Sequence, residues 1–417
     1  MRRIAAPRSS RLAPRASLLA VAFAVAVAFA VAVAFPVAVA VEFARRPGRM
    51  IPSPAMRAML GEPSNLSNSS TMPAIFDMDI GTDPDDTFVA AMVLRAPERF
   101  SPALLVTNDE TVARGRARFL AGLVAMTGVD VPVAAGLPSQ RRRAQCLVEE
   151  AGLCPADGDF DPEGVEAVVR VLEAHPRVRY FSLGALTNLD SALRLRPDLA
   201  PRVDLFQMGP ALAGAYDRAL PQYNARLDPG AFSRVLGRVE YPTLVFSHST
   251  WGRHDTSTRQ RLGVYVDDPF AEALRAAGPV PAILVRHLEA WVESGKPCSI
   301  MHDPLTVLCS MLPDLVDLAE VDVVVGDDGW ASLVEPSFLE LRALLPGRGR
   351  AIAEHLSGPP GTPATQTGTH VRCRMSLDTD DELARAAITT ALLGERGVSV
   401  ASAWGAFNRT CESAGVV

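Results

Sequence analysis

The sequence predicts an α/β fold, an open, mainly parallel Rossmann-like sheet with helices on both faces and a functional site at the carboxyl ends of its strands. Three observations predict it. From Pro73 onward, short β-branched runs alternate with longer helical patterns, the order that builds βαβ units with right-handed crossovers. A chain of 417 residues, 48% of them hydrophobic, has the material to bury a large core. Directly after the first apolar run, Ile75 to Asp86 reads IFDMDIGTDPDD, a crowd of carboxylates in a strand-to-helix turn, where open α/β sheets bind their ligands.

Taken in order, strands are expected at Ala74 to Met78, Ala103 to Thr107, Val131 to Ala134, Arg179 to Leu183, Val203 to Met208 and Thr243 to Ser247. Helices are expected between them at Thr87 to Leu94, Glu110 to Met126, Gly164 to His175, Leu186 to Arg194 and Ala231 to Leu236. The second half reads as more helical, with Phe270 to Ala277 and Val280 to Glu293 ahead of an acidic-apolar segment from Leu318 to Val325. No internal repeat is visible. One catalytic domain over residues 73–417 is the economical division, its later segments covering the carboxyl edge of the sheet.

The aspartates are the most informative feature. Asp77, Asp79, Asp83, Asp85 and Asp86 fall within ten residues. Like charges so close raise each other's cost of ionisation, which is tolerable in free solvent or around a cation. Apolar flanks on both sides argue against free solvent, and a hard cation held through oxygen, Ca²⁺ or Mg²⁺, accounts for the cluster. A helix cap at Asp83-Pro84-Asp85 would account for one or two of the five.

Composition excludes other classes. A net charge of −6 lacks the basic character of a nucleic-acid binder, and Arg141-Arg142-Arg143 reads as solvated surface. The first 50 residues stand apart: arginines precede an uncharged Ala/Val/Phe stretch, Ala16 to Val41, longer than the ~20 residues that span a bilayer. Membrane anchoring, a signal peptide with small residues at Ala38-Val39-Ala40, and a true start at Met50, Met56 or Met72 all remain open. The chain is accordingly exported or anchored if that stretch is genuine and cytoplasmic otherwise. Residues 51–72, rich in Ser, Asn and Pro, read as a linker. Cys146 and Cys154 are spaced to permit a disulfide, whereas Cys298 and Cys309 read as packed thiols; without a CxxC pair a zinc site is not expected.

Three further signatures follow at predicted strand ends. They are Ser182-Leu183-Gly184-Ala185-Leu186-Thr187-Asn188; Gln207-Met208-Gly209 with Gln222-Tyr223-Asn224-Ala225-Arg226-Leu227-Asp228-Pro229; and Met301-His302-Asp303-Pro304. With the aspartate cluster, this ordered set resembles the inosine-uridine preferring nucleoside hydrolases, Ca²⁺-dependent enzymes that split the N-glycosidic bond of ribonucleosides. The resemblance implies that Asp79, Asp86, the Leu183 carbonyl and Asp303 ligate Ca²⁺, and that a calcium-held water is deprotonated by Asp85. It also implies that Asn108, Met208, Gln222 and Asn224 contact the sugar and that His302 protonates the departing base. The partner would be a nucleoside or related riboside, bound by a chain free to form a homo-oligomer.

The sequence departs from the family pattern in two places. Between Asp79 and the Asp pair, Ile80-Gly81-Thr82-Asp83-Pro84 is longer by two residues, so Asp83 competes with Asp85 for the base position. The position usually held by Glu before the Asn is Gln222, which loses a charge-assisted bond to a sugar hydroxyl. A haloacid dehalogenase-type phosphatase is the rival enzyme, since Phe76-Asp77-Met78-Asp79 also fits a strand-end DxD; it leaves His302-Asp303 unexplained and wants a lysine that a chain whose only lysine is Lys296 does not offer. A calcium- and ribose-binding member that hydrolyses slowly or not at all is the rival from the class of binding modules.

Overall fold

The computed structural model describes residues 72–138, 145–155, 158–213, 220–250, 259–335 and 367–413. The N-terminal segment 1–50, residues 51–71 of the linker and Arg141-Arg142-Arg143 lie outside them. Among the described residues no helix is long and apolar enough to cross a membrane.

The described residues form twelve strands: β1 (Ala74–Met78), β2 (Pro102–Thr107), β3 (Val133–Ala134), β4 (Val178–Ser182), β5 (Val203–Met208), β6 (Ala211–Leu212), β7 (Thr243–Val245), β8 (Gly263–Val264), β9 (Ser299–Ile300), β10 (Val316–Val325), β11 (Trp330–Glu335) and β12 (Thr369–Thr379). Ten of them make one sheet in the order β3-β2-β1-β4-β5-β7-β12-β10-β11-β6, and β8 with β9 forms a separate antiparallel pair. Within the large sheet every pairing is parallel except those of β10 with β11 and β12. The α/β class and the mainly parallel sheet are as predicted.

β1 lies inside the sheet, between β2 and β4, and is buried along its whole length, because helices cover both faces of a parallel sheet. Phe76 stacks on Phe181 of β4 at 4.9 Å between ring centroids, and Phe181 meets Phe206 of β5 at 5.5 Å, so one face is fastened by an aromatic ladder across three strands. On the other face Ile75, Val106, Tyr180 and Leu205 pack against helices Gly164–Ala174 and Thr187–Leu195.

The differences from the sequence reading have physical reasons. The helix expected from Glu110 begins at Gly115, because the Glu110 side chain is used as its cap: Oε1 accepts from the amide of Arg116 at 3.1 Å and Oε2 from that of Ala117 at 3.0 Å. The strand expected to Ser247 stops at Val245, since Ser247–Thr250 closes into a helical turn. The acidic-apolar segment is strand β10. With β11 and β12 it extends the sheet, where a cover over the carboxyl edge was expected. Helices Asp381–Leu393 and Gly397–Ser413 follow, the first capped by Asp380 accepting from the Leu383 amide at 3.1 Å. Cys146 and Cys154 are free thiols, as are the buried Cys298 and Cys309.

Candidate active site

β1 delivers the aspartates. The chain leaves it at Met78, turns through Asp79 to Pro84, and enters helix Asp85–Arg95 with two acids in the first turn, the end a helix dipole favours for negative charge. Oxygens of Asp85, Asp86 and Asp303 lie within 4.8 Å of one another, all three residues buried. Asp303 arrives in the first turn of helix His302–Leu308, so elements far apart in sequence close on one point.

The electrostatics are those of an uncompensated site. Burial, followed by the neighbouring carboxylates, holds Asp85, Asp86 and Asp303 well above the usual carboxylate range. Burial also raises Asp79, against the pull of the Arg116 guanidinium. It pushes Asp83 up to about 7, opposed first by Ser299, whose hydroxyl donates to Asp83 Oδ1 at 2.5 Å. Asp86 Oδ1 is buried with no hydrogen-bond partner. A donor set made of oxygens, with one carboxylate oxygen left unsatisfied and several carboxyls held above their normal pKa, fits a hard divalent cation such as calcium.

Asp77, the first aspartate, does different work. Fully buried on β1, its carboxyl accepts from Tyr180 Oη at 2.6 Å, Asn188 Nδ2 at 2.9 Å and Asn108 Nδ2 at 3.1 Å. Burial nonetheless pushes it up to about 7. A carboxyl enclosed by three donors is not presented as a nucleophile, which removes the structural basis of the phosphatase reading.

The other predicted residues gather at the carboxyl ends of β2, β4 and β5. Asn108 follows β2 and spends both amide protons inside the protein, on Asp77 and on the Ala185 carbonyl at 2.5 Å, which leaves Oδ1 for a ligand. The Leu183 carbonyl, beyond β4, accepts from Asn224 Nδ2 at 2.6 Å and keeps a second lone pair. Next to it, a Cβ on Gly184 would stand 3.2 Å from Asn108 and 3.3 Å from Asp79. A side chain there would crowd both residues. Gln222 caps helix Tyr223–Leu227, its Oε1 accepting from the amides of Asn224 at 2.7 Å and Ala225 at 3.2 Å, while Nε2 lies 3.3 Å from Met208 Sδ.

His302 Nδ1 is hydrogen-bonded to Thr250 Oγ1. That hydroxyl also lies 2.9 Å from the Ser247 carbonyl, so the contact that orients the ring is itself tied to the backbone.

Two residues that sequence reasoning missed support this turn. Arg116 is 1% exposed, and its guanidinium reaches the carbonyls of Asp79 and Ile80. His287, fully buried, holds the Thr82 carbonyl and the Thr87 hydroxyl. Neither belongs to a motif. The available signal was placement: Arg116 shares the apolar stripe of Phe119, Leu120 and Leu123, and His287 that of Val280, Leu284 and Leu288.

Comparison with known proteins follows the same line. A family model described as inosine-uridine preferring nucleoside hydrolase matches residues 74–399. No curated protein matches the chain. Among solved structures, a plant nucleoside hydrolase superposes with a TM-score of 0.58 at 18% identity, over 78% of this chain and 99% of that one. An inosine-guanosine nucleoside hydrolase gives 0.56 at 15% identity, over 77% and 98%. The inosine-uridine preferring nucleoside hydrolase of Bacillus anthracis gives 0.55 at 14% identity, over 78% and 99%. At these identities the superpositions speak for the fold.

Proposed function

The chain belongs to the inosine-uridine preferring nucleoside hydrolase family and is a hydrolase acting on N-glycosyl compounds, and on that premise we propose that it splits ribonucleosides into free base and ribose. We infer that the site works with a calcium ion ligated by Asp79, Asp86, the Leu183 carbonyl and Asp303. The observation that carries this reading is the convergence of buried Asp85, Asp86 and Asp303 oxygens at the carboxyl end of β1.

In this reading Asp85 accepts a proton from the water that attacks the anomeric carbon; Asp83 is the alternative base. The carbon–nitrogen bond breaks through an oxocarbenium-like state, and His302 gives a proton to the departing base nitrogen. Calcium, when bound, supplies positive charge that keeps its carboxylates ionised and makes nearby water more acidic. Asn108 and Asn224 hold sugar hydroxyls, and Met208 forms an apolar wall below the ring. Incubating a panel of ribonucleosides with the protein, with and without chelator, tests the reading: base release that stops with chelator and returns with Ca²⁺ is expected, and release indifferent to chelator contradicts it.

One observation favours a second reading. Gln222, where the family has Glu, turns both ends of its amide into the protein, which weakens the grip on the sugar. A protein that binds calcium and ribosides but hydrolyses them slowly fits that feature. Calorimetric riboside binding without base release on the same panel would identify it.

A further inference from the structure

We propose that Arg116 is the positioning residue that fixes the Asp79–Ile80 turn against the Asn108–Asp109 turn, so that the cation pocket is shaped before any cation enters. The proposal rests on the calcium reading above but concerns a residue outside the ligand set. A guanidinium carries five N–H groups in a planar fork. Here Nε donates to the Asp109 carbonyl at 2.9 Å, and Nη1 donates to the carbonyls of Asp79 and, at 2.7 Å, Ile80. Nη2 donates to Asp109 Oδ2 at 3.3 Å and to the Gln145 carbonyl at 2.9 Å. Three separate segments are thus tied to one buried side chain.

The base of the fork is rigid. The Arg116 amide is held by Glu110, whose Oε2 also accepts from the Thr107 hydroxyl at 2.7 Å, at the end of β2. A continuous path therefore runs from β2 through Glu110 and the helix start to the turn that leaves β1. Asp109 gives independent evidence that the arrangement is imposed. Its backbone sits in the left-handed region at φ 47°, and its Oδ1 is buried without a partner, costs that persist where surrounding structure dictates the conformation. The grip on the Asp79 carbonyl fixes the backbone from which the Asp79 carboxyl reaches the cluster.

Charge alone makes the opposite forecast. If Arg116 acted only as a counter-charge, lysine would replace it, and removing the charge would tighten cation binding by leaving the acids more negative. A positioning role needs the fork, which lysine lacks. The test uses the full chain and the variants Arg116→Lys and Arg116→Gln, with calcium titrated by calorimetry and backbone hydrogen exchange followed in calcium-free buffer. Calcium affinity should fall by about 10- to 100-fold in Arg116→Lys, the usual cost of losing a group that orients a ligand. Exchange should quicken across residues 79–86 and 108–111 while β10 and β12 stay protected.

Arg116→Lys binding calcium as tightly as the wild type, or more tightly, overturns the proposal. A wild type that takes up no calcium overturns the calcium reading instead, and exchange in the metal-free protein still decides the role of Arg116: unchanged protection at 79–86 rejects it. Should both variants fail to fold, Asp109→Asn, which removes the charge from one acceptor of the fork, should quicken exchange across residues 79–86 in calcium-free buffer, a readout that charge in the pocket alone does not move, and unchanged protection there rejects it.

Discussion

Nδ1 of His287 lies 3.0 Å from Oγ1 of Thr87, and the other ring nitrogen lies 3.2 Å from the Thr82 carbonyl, so a single imidazole spans the aspartate turn from its middle to the helix it enters. A carbonyl only accepts. Nε2 therefore carries the proton, and Nδ1 of the neutral ring accepts from the Thr87 hydroxyl. Burial lowers the pKa of this histidine to about 3.

Stability should consequently fall on acidification. The unfolded chain takes up a proton on this histidine below its ordinary pKa of ~6.5, whereas the native chain resists until about 3. Between those values the unfolded state binds more protons, so the His287 contribution is complete above pH ~6.5 and declines by up to ~1.4 kcal/mol per pH unit below it. His287→Gln can donate to Thr82 and accept from Thr87 without titrating. Urea unfolding from neutral to mildly acidic pH should show a shallower decline for the variant; parallel curves would refute the argument.

Asp79→Asn should lower calcium affinity and turnover together. The substitution keeps the shape and removes one negative charge from a site whose remaining acids are buried. Calorimetry on the wild type should find one calcium per chain, and calcium uptake by Asp79→Asn equal to wild type would remove Asp79 from the ligand set.

Asp85→Ala should reduce turnover by about 10²- to 10⁴-fold, the range for loss of a general base, while calcium still binds. Asp83 accepts from the Ser299 hydroxyl, and Asp85 Oδ1 from the Asp86 amide at 3.2 Å. A silent Asp85→Ala beside an inactive Asp83→Ala would exchange their roles. Loss of calcium in Asp85→Ala would mark Asp85 as a ligand, consistent with how near its oxygen lies to those of Asp86 and Asp303.

His302→Ala should slow inosine or uridine hydrolysis by about 10²-fold or more and barely affect p-nitrophenyl riboside, whose leaving group departs without a proton. Equal losses on both substrates would mean that His302 positions Asp303 or the sugar.

Much of this was readable from the sequence, and what was not has a common cause. β1 and β5 have the expected bounds, because each is a mostly apolar run, interrupted by Asp77 in one and by Asp204 and Gln207 in the other, that ends at turn residues. The aspartate turn was readable because five carboxylates in ten residues have few physical explanations. Glu110 deceived the helix assignment: a good helix former was used through its side chain as a cap. Arg116 and His287 were hidden because they act through backbone carbonyls, and a carbonyl has no residue identity to leave in a pattern. β12 pairs with β7 and β10 across long stretches of chain, a relation that local periodicity cannot express.

The strand order around β1 divides the labour of the site. β1 stands between β2 and β4, so the chain winds outward from it in two directions. The acids come mainly from the turn leaving β1 and from Asp303, whereas the neutral groups Leu183, Met208, Gln222 and Asn224 come from beyond β4 and β5. These two banks meet along the seam where Gly184 passes between Asn108 and Asp79. Because the two banks hang on different strands, a change on the neutral bank, as at Gln222, falls on backbone separate from that carrying the aspartates, whereas the longer stretch Ile80 to Pro84 alters the charged bank itself.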